Sequence, residues 1–292
     1  MANNEQRRKD AMRTLERELK RRDRAEKLKP LGVVVTTLAI LVVIGGGIYL
    51  LTTAGSADDN QAADQSSETS VEPVALEATP VSGEKVPMSR TTALPETVTC
   101  EYPDDGQASK DIDKPATDNV PATGTVTVTL NTNQGEIPME LDRSVSPCGV
   151  NAIEHMAKSG YFDDSVCHRI TGGGLNVLQC GDPTGTGTGG PGFKFAGEWP
   201  VKDADLDPNT PLVYPKGSIA MANPSDPDAN GSQFFLNWAD SQLPPQYTLL
   251  GSMTDDGTKT VEKIAKNGIE GGGTSDGKPA KEVKIEKAKV SE

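Results

Sequence analysis

Along the chain, apolar and polar positions follow several distinct rhythms. Residues 5–29 are rich in Arg, Lys, Glu, Ala and Leu, with opposite charges at helical spacing (Glu16 with Lys20, Glu18 with Arg22). That pattern predicts a solvated helix within a basic segment, residues 1–30. Residues 31–53 form an uncharged apolar run, long enough for a single transmembrane helix, which needs ~20 residues. Residues 54–120 are dominated by Ala, Ser, Thr, Pro, Glu and Asp. Such a composition buries too little apolar surface to offset ordering entropy, and predicts a disordered, flexible linker.

Residues 121–292 are periodic and read as the folded domain. Thr125-Val126-Thr127-Val128-Thr129-Leu130 and Gly135-Glu136-Ile137-Pro138-Met139-Glu140-Leu141 alternate with period two around Asn133-Gln134-Gly135, which predicts a hairpin. Ser146 as N-cap and Pro147 in the first turn predict a helix with Val150, Ile153 and Met156 as its apolar stripe, ended by Gly160. A second short helix is expected over residues 260–267, with Val261 and Ile264 inward. Further strands are expected near residues 217–222, 233–237, 247–253 and 282–286. The stretch 218–235 places two apolar runs around a turn-rich loop, with Asn223 closing the first and Gln233 opening the second. Amide side chains beside Phe234 and Phe235 point to an apolar pocket with a few aimed donors and acceptors.

Charge adds topology. Residues 1–30 hold 11 Lys or Arg and 6 Asp or Glu, a balance of +5, so the remainder carries −13 − 5 = −18. The acidic remainder excludes nucleic acid as a partner, because phosphates are repelled. Positive charge before the apolar run predicts a cytoplasmic N-terminus and a single-pass plasma-membrane protein with its folded domain outside. The four cysteines, Cys100, Cys148, Cys167 and Cys180, suit two disulfides in an oxidising compartment, with three possible connectivities. Strand alternation would put Cys167 and Cys180 on opposite faces, against a bridge between them unless a bulge intervenes; the pairing stays open. No CxxC or HxxxH spacing is present and His155 and His168 fit no zinc pattern, so no metal is expected. The glycine-threonine loop 184–190 lacks the Gly-Lys-Ser/Thr ending of a phosphate loop, and no cofactor is expected.

Three segments are informative together. Cys167-His168-Arg169-Ile170, Val177-Leu178-Gln179-Cys180-Gly181-Asp182, and Met221-Ala222-Asn223 with Asn230-Gly231-Ser232-Gln233-Phe234-Phe235 closely resemble the signature segments of the cyclophilin family. The resemblance covers roughly residues 124–290. It implies a mainly β fold, a closed antiparallel eight-stranded barrel capped by two helices, and peptidyl-prolyl cis-trans isomerase activity. Arg169 would donate to the prolyl nitrogen of the twisted amide, and Gln179 would hold the guanidinium. Gln233 and the Asn223 backbone, with Ala222, would bind the peptide. Phe235 would floor the proline pocket, with Val177, Leu243 and Tyr247 around it. Asn176, Gln242 and Tyr247 stand where the family often has Phe, Trp and His, which thins the apolar wall. The partners implied are proline-containing segments of unfolded or flexible proteins outside the membrane. The alternative is a weakly or non-catalytic proline-peptide-binding module on the same barrel.

Overall fold

The computed structural model describes residues 72–291. The predicted basic segment 1–30, the apolar run 31–53 and the first part of the expected linker lie outside the described residues. Among the described residues no helix is long and apolar enough to cross a membrane.

In chain order the strands are β1 (Thr97–Val98), β2 (Val120–Pro121), β3 (Thr125–Thr132), β4 (Gly135–Asp142), β5 (Ser165–Val166), β6 (Arg169–Thr171), β7 (Val177–Cys180), β8 (Leu212–Tyr214), β9 (Ser218–Met221), β10 (Phe234–Asn237), β11 (Ser241–Leu243), β12 (Leu249–Met253), β13 (Asp276–Gly277) and β14 (Lys284–Ser291). Two α-helices, α1 (Pro147–Lys158) and α2 (Asp255–Lys266), complete the frame.

Ten strands make one antiparallel sheet in the order β13-β6-β7-β10-β9-β12-β4-β3-β14-β5. The expected eight-stranded closed barrel is therefore corrected to a curled sheet whose hydrogen-bond ladder stays open. The edge strand β5 leads through the chain into β6, the neighbour of the other edge strand, β13. β5 pairs with β14, the Cys167 N–H donates to the Val283 carbonyl at 2.9 Å, and the strand resumes as β6 against β7. The interruption at Cys167 and His168 prevents one continuous ladder.

The hairpin forms as alternation predicts: Val126, Val128, Leu130, Ile137, Met139 and Leu141 are buried. Helix α1 buries Val150, Ile153 and Met156 on this core. Its N-cap position is Ser146, but the Ser146 hydroxyl makes no capping bond. The Glu198 carboxylate takes that role, accepting the Cys148 N–H at 3.2 Å and the Gly149 N–H at 2.8 Å, as suits negative charge at a helix N-terminus. Helix α2 starts five residues before the expected Thr260. Thr254 caps it by accepting the Gly257 N–H, with Asp255 and Asp256 in the first turn. Gly257 obscures that start in sequence, yet a Cβ there would lie 2.8 Å from the Pro138 carbonyl oxygen, so the helix lies tight against β4.

The largest correction concerns residues 72–120. Leu76, Val86, Cys100 and Tyr102 are buried, and Leu76, Cys100 and Tyr102 join the main core. The described part of the expected linker is an arm packed against α2, β8 and α1. The Leu76 N–H donates to Ala265, and Val86 and Val213 anchor a second contact. Disulfide Cys100–Cys148 ties the arm to α1. Few anchors, widely spaced, hold the arm, which is why its mean composition resembles a linker.

Candidate active site

Register assembles the site. Arg169 pairs directly with Gln179, Gln179 with Phe235, and Phe235 with Ala220. Residues directly opposite one another across a sheet share a face. Arg169, Gln179 and Phe235 therefore stand in one row on one face. One position along, Leu178, Leu236 and Ile219 form a row on the other face, in the main core.

The site face covers a second apolar cluster: Val177, Phe235, Tyr214, Trp199, Leu212, Leu249 and Val86, with Leu243, Tyr247 and Ala222 partly buried against it. Phe235 is 5% exposed and meets Tyr247 edge to face at 5.5 Å. The sequence-predicted pocket residues Val177, Phe235, Leu243, Tyr247 and Ala222 are thus brought together. The departures from the family pattern have definite places. Asn176 is buried and turned to the 239–241 turn, its Nδ2 donating to the Asp240 carbonyl at 2.7 Å, so it forms no pocket wall. Gln242 is exposed and its Nε2 donates to the Ser82 carbonyl of the arm at 3.0 Å.

Polar groups form a relay beside the pocket. Arg169 Nη1 donates to Gln179 Oε1 at 3.2 Å, and Gln179 Nε2 donates to Gln233 Oε1 at 2.9 Å. Gln233 Nε2 donates to the carbonyls of Gly187 and Gly189 at 3.0 and 3.1 Å. Both Gln233 amide hydrogens are consumed, which leaves an oxygen lone pair for an incoming N–H. Asn223 Nδ2 donates to the Gln246 carbonyl at 2.9 Å, while its backbone N–H and C=O have no partner among the described residues.

The sequence pattern did not reveal Asp276. It sits on β13 beside β6 and takes Arg169 Nε on Oδ1 at 2.9 Å and Nη2 on Oδ2 at 2.7 Å, a two-point clamp. The hydrogen bond from Arg169 holds the Asp276 carboxyl below its ordinary range, and Asp276 in turn pushes the guanidinium further up. Three of the five guanidinium N–H donors are engaged, so two remain. The Arg169 side chain is 38% exposed. An acidic residue in a glycine-rich stretch, far along the chain from Arg169, carries no signal of this contact.

Burial pushes the His168 pKa down; the nearby Asp182 carboxylate opposes this and Arg169 adds to it. Its ring props the loop: a Cβ at Gly187 would lie 3.2 Å from it. Asp182 ties that loop down, accepting N–H bonds from Thr184 at 2.7 Å and Gly187 at 2.7 Å. The cysteine pairing is Cys167–Cys180 as well as Cys100–Cys148. The alternation argument against Cys167–Cys180 fails because regular pairing begins only at Arg169; Cys167 lies outside it and joins Cys180 on the core side. Among the described residues no group of three or more His, Cys, Asp or Glu is arranged to hold a metal ion.

The chain is similar to several known proteins. The family model described as cyclophilin type peptidyl-prolyl cis-trans isomerase/CLD matches residues 127–290. A Mycobacterium tuberculosis protein named probable peptidyl-prolyl cis-trans isomerase B is 48% identical over 192 residues, covering 64% of this chain and 62% of that protein. The Mycobacterium leprae protein of the same name is 47% identical over 199 residues, covering 66% and 67%. A crystal structure of a Cryptosporidium parvum cyclophilin type peptidyl-prolyl cis-trans isomerase is 28% identical with a TM-score of 0.45, covering 58% of this chain and 99% of that one.

Proposed function

The chain belongs to the cyclophilin-type peptidyl-prolyl cis-trans isomerase family, and we propose that it speeds rotation about X–Pro bonds, with Arg169 stabilising the twisted amide. Rotation is slow because amide resonance must be lost, at a barrier of ~18–20 kcal/mol. In the twisted state the prolyl nitrogen becomes a hydrogen-bond acceptor. A donor fixed beside it binds that state and not the planar ones, which is what lowers a barrier. No nucleophile or general base enters.

The observation that carries this reading is the row Arg169–Gln179–Phe235. It sets a held guanidinium, with two N–H donors left over, on the same face as an aromatic floor able to take a proline ring. Asp276 and Gln179 restrict the guanidinium from two sides, so little ordering remains for the moment of reaction. The free backbone groups of Asn223 and the open lone pair of Gln233 suit an extended peptide laid across the face. Exchange NMR on the full chain with an X–Pro peptide tests the reading: accelerated cis-trans exchange is expected, and binding without acceleration overturns it in favour of the non-catalytic peptide-binding module. The thinner wall at Gln242 and Asn176 is the feature that favours that second reading.

The substrates we propose are proline-containing segments of proteins folding outside the membrane. Support comes from the basic segment before the apolar run 31–53 and from the two disulfides, which persist in oxidising compartments. Protease added to intact cells should remove the domain from outside; full protection would refute the orientation.

A further inference from the structure

A cavity of about 440 Å³ opens beside Gln179 and Gln233, and part of its wall is arm segment 105–109, which precedes the family-matched residues. Bonds fix that segment against loop 187–192. The Asp105 N–H donates to the Gly192 carbonyl at 2.9 Å, the Ser109 N–H donates to the Gly190 carbonyl at 2.9 Å, and the Gly190 N–H donates to Ser109 Oγ at 3.0 Å. The loop is shaped for this approach. A Cβ at Gly192 would lie 2.9 Å from the Ala108 nitrogen, so glycine admits the arm there; at Gly189 a Cβ would meet the Asp182 carboxylate first and Ser109 Oγ next, at 2.8 Å. Just upstream, buried Tyr102 donates its hydroxyl to the Cys148 carbonyl at 2.8 Å beside the Cys100–Cys148 bridge.

Asp105 is the one charged residue lining this cavity. It is exposed and makes no ion pair among the described residues, whereas neighbouring Asp104 is paired with Lys114 at 2.7 Å. Asp182, beneath the same loop, is buried and already satisfied by donors from Thr184, Thr186 and Gly187. The rest of the lining offers amides, hydroxyls and backbone, with apolar surface from Pro191, Ala222, Pro224 and Ala229.

We infer that the arm is a specificity-determining wall of the substrate groove, and that Asp105 selects a basic substrate side chain, lysine or arginine, at one position flanking the proline. The inference rests on the isomerase reading above. An unpaired carboxylate over a cavity of mixed lining attracts an ammonium or guanidinium group and repels a carboxylate. Because the pair is exposed, its effect is modest, about two- to five-fold in affinity.

The test uses the full chain and X–Pro peptides with Ala, Lys or Glu placed in turn at each of three positions on either side of the proline. Dissociation constants and exchange rates are both read by NMR. At one position Lys should bind about two- to five-fold tighter than Glu. The preference should invert in Asp105→Lys, persist in Asp104→Asn and shrink in high salt. Equal binding of Lys and Glu at every position, or a preference that survives Asp105→Lys, overturns the inference. Isomerisation intact without charge preference removes this inference alone; charge preference without isomerisation removes the catalytic reading alone.

Discussion

On one face of β7, β10 and β9, Leu178, Phe234, Leu236, Ile219 and Met221 are fully buried in the main core. On the other face, one residue along each strand, stand Gln179, Phe235 and Ala220. The first face has apolar atoms throughout and no group to aim. The second backs onto a smaller cluster and carries a polar row, Arg169 to Gln179 to Gln233, whose members bond one another. The same strands thus hold the fold with one face and carry the proposed site on the other. Stability and substrate handling are separable by moving one residue along a strand.

Core deletion tests that separation with the largest effect. Phe234, fully buried and edge-on to Phe162 at 5.7 Å, should cost about 3–5 kcal/mol of unfolding free energy when changed to Ala, read from denaturant midpoints. Phe235→Ala should cost less stability and weaken peptide binding more. The opposite ranking would break the comparison.

Glu198 joins the two regions, since it caps α1 while neighbouring Trp199 belongs to the site-side cluster. The residue keeps some exposed surface, yet its carboxylate is closely surrounded, and those surroundings set its proton affinity. Burial pushes its pKa up from 4.5 to about 7. The folded state therefore holds this proton more tightly than the unfolded chain. That contribution is fully present below about pH 4.5 and is lost as pH rises through about 7. The loss is on the order of 2–3 kcal/mol. Thermal melts across that window should show it, and Glu198→Gln should flatten the profile.

Asp276→Asn gives the smallest effect. It removes the charge from the clamp but keeps one acceptor for Arg169. Turnover should fall by about tenfold or less, the equivalent of one hydrogen bond, with KM little changed. Asp276→Glu should restore part of the loss. A KM change alone would make Asp276 a binding residue and not a positioning one.

Most of the sheet and the site row could be read from sequence because both rest on local pattern. The hairpin alternation and the stripe Val150–Ile153–Met156 sit where period puts them, and Val177, Phe235, Leu243 and Tyr247 lie in one cluster. What stayed hidden depends on distant contacts. The arm's anchors, Leu76, Val86, Cys100 and Tyr102, are too sparse to form a period. Asp276 meets Arg169 across 107 residues of chain. The Cys167–Cys180 bridge depends on a break in strand pairing that alternation alone does not show. Helix α2 begins earlier than its apolar stripe because its start is written in Thr254 and two aspartates.

We propose that Arg169 grips the prolyl nitrogen only while the amide is twisted. Exchange rate at saturating peptide and dissociation constant, measured together for the wild-type chain and Arg169→Ala, test it most directly. The account predicts a fall in rate of about 100-fold or more, with the dissociation constant changed far less. An unchanged rate, or a loss of binding as large as the loss of rate, would contradict it.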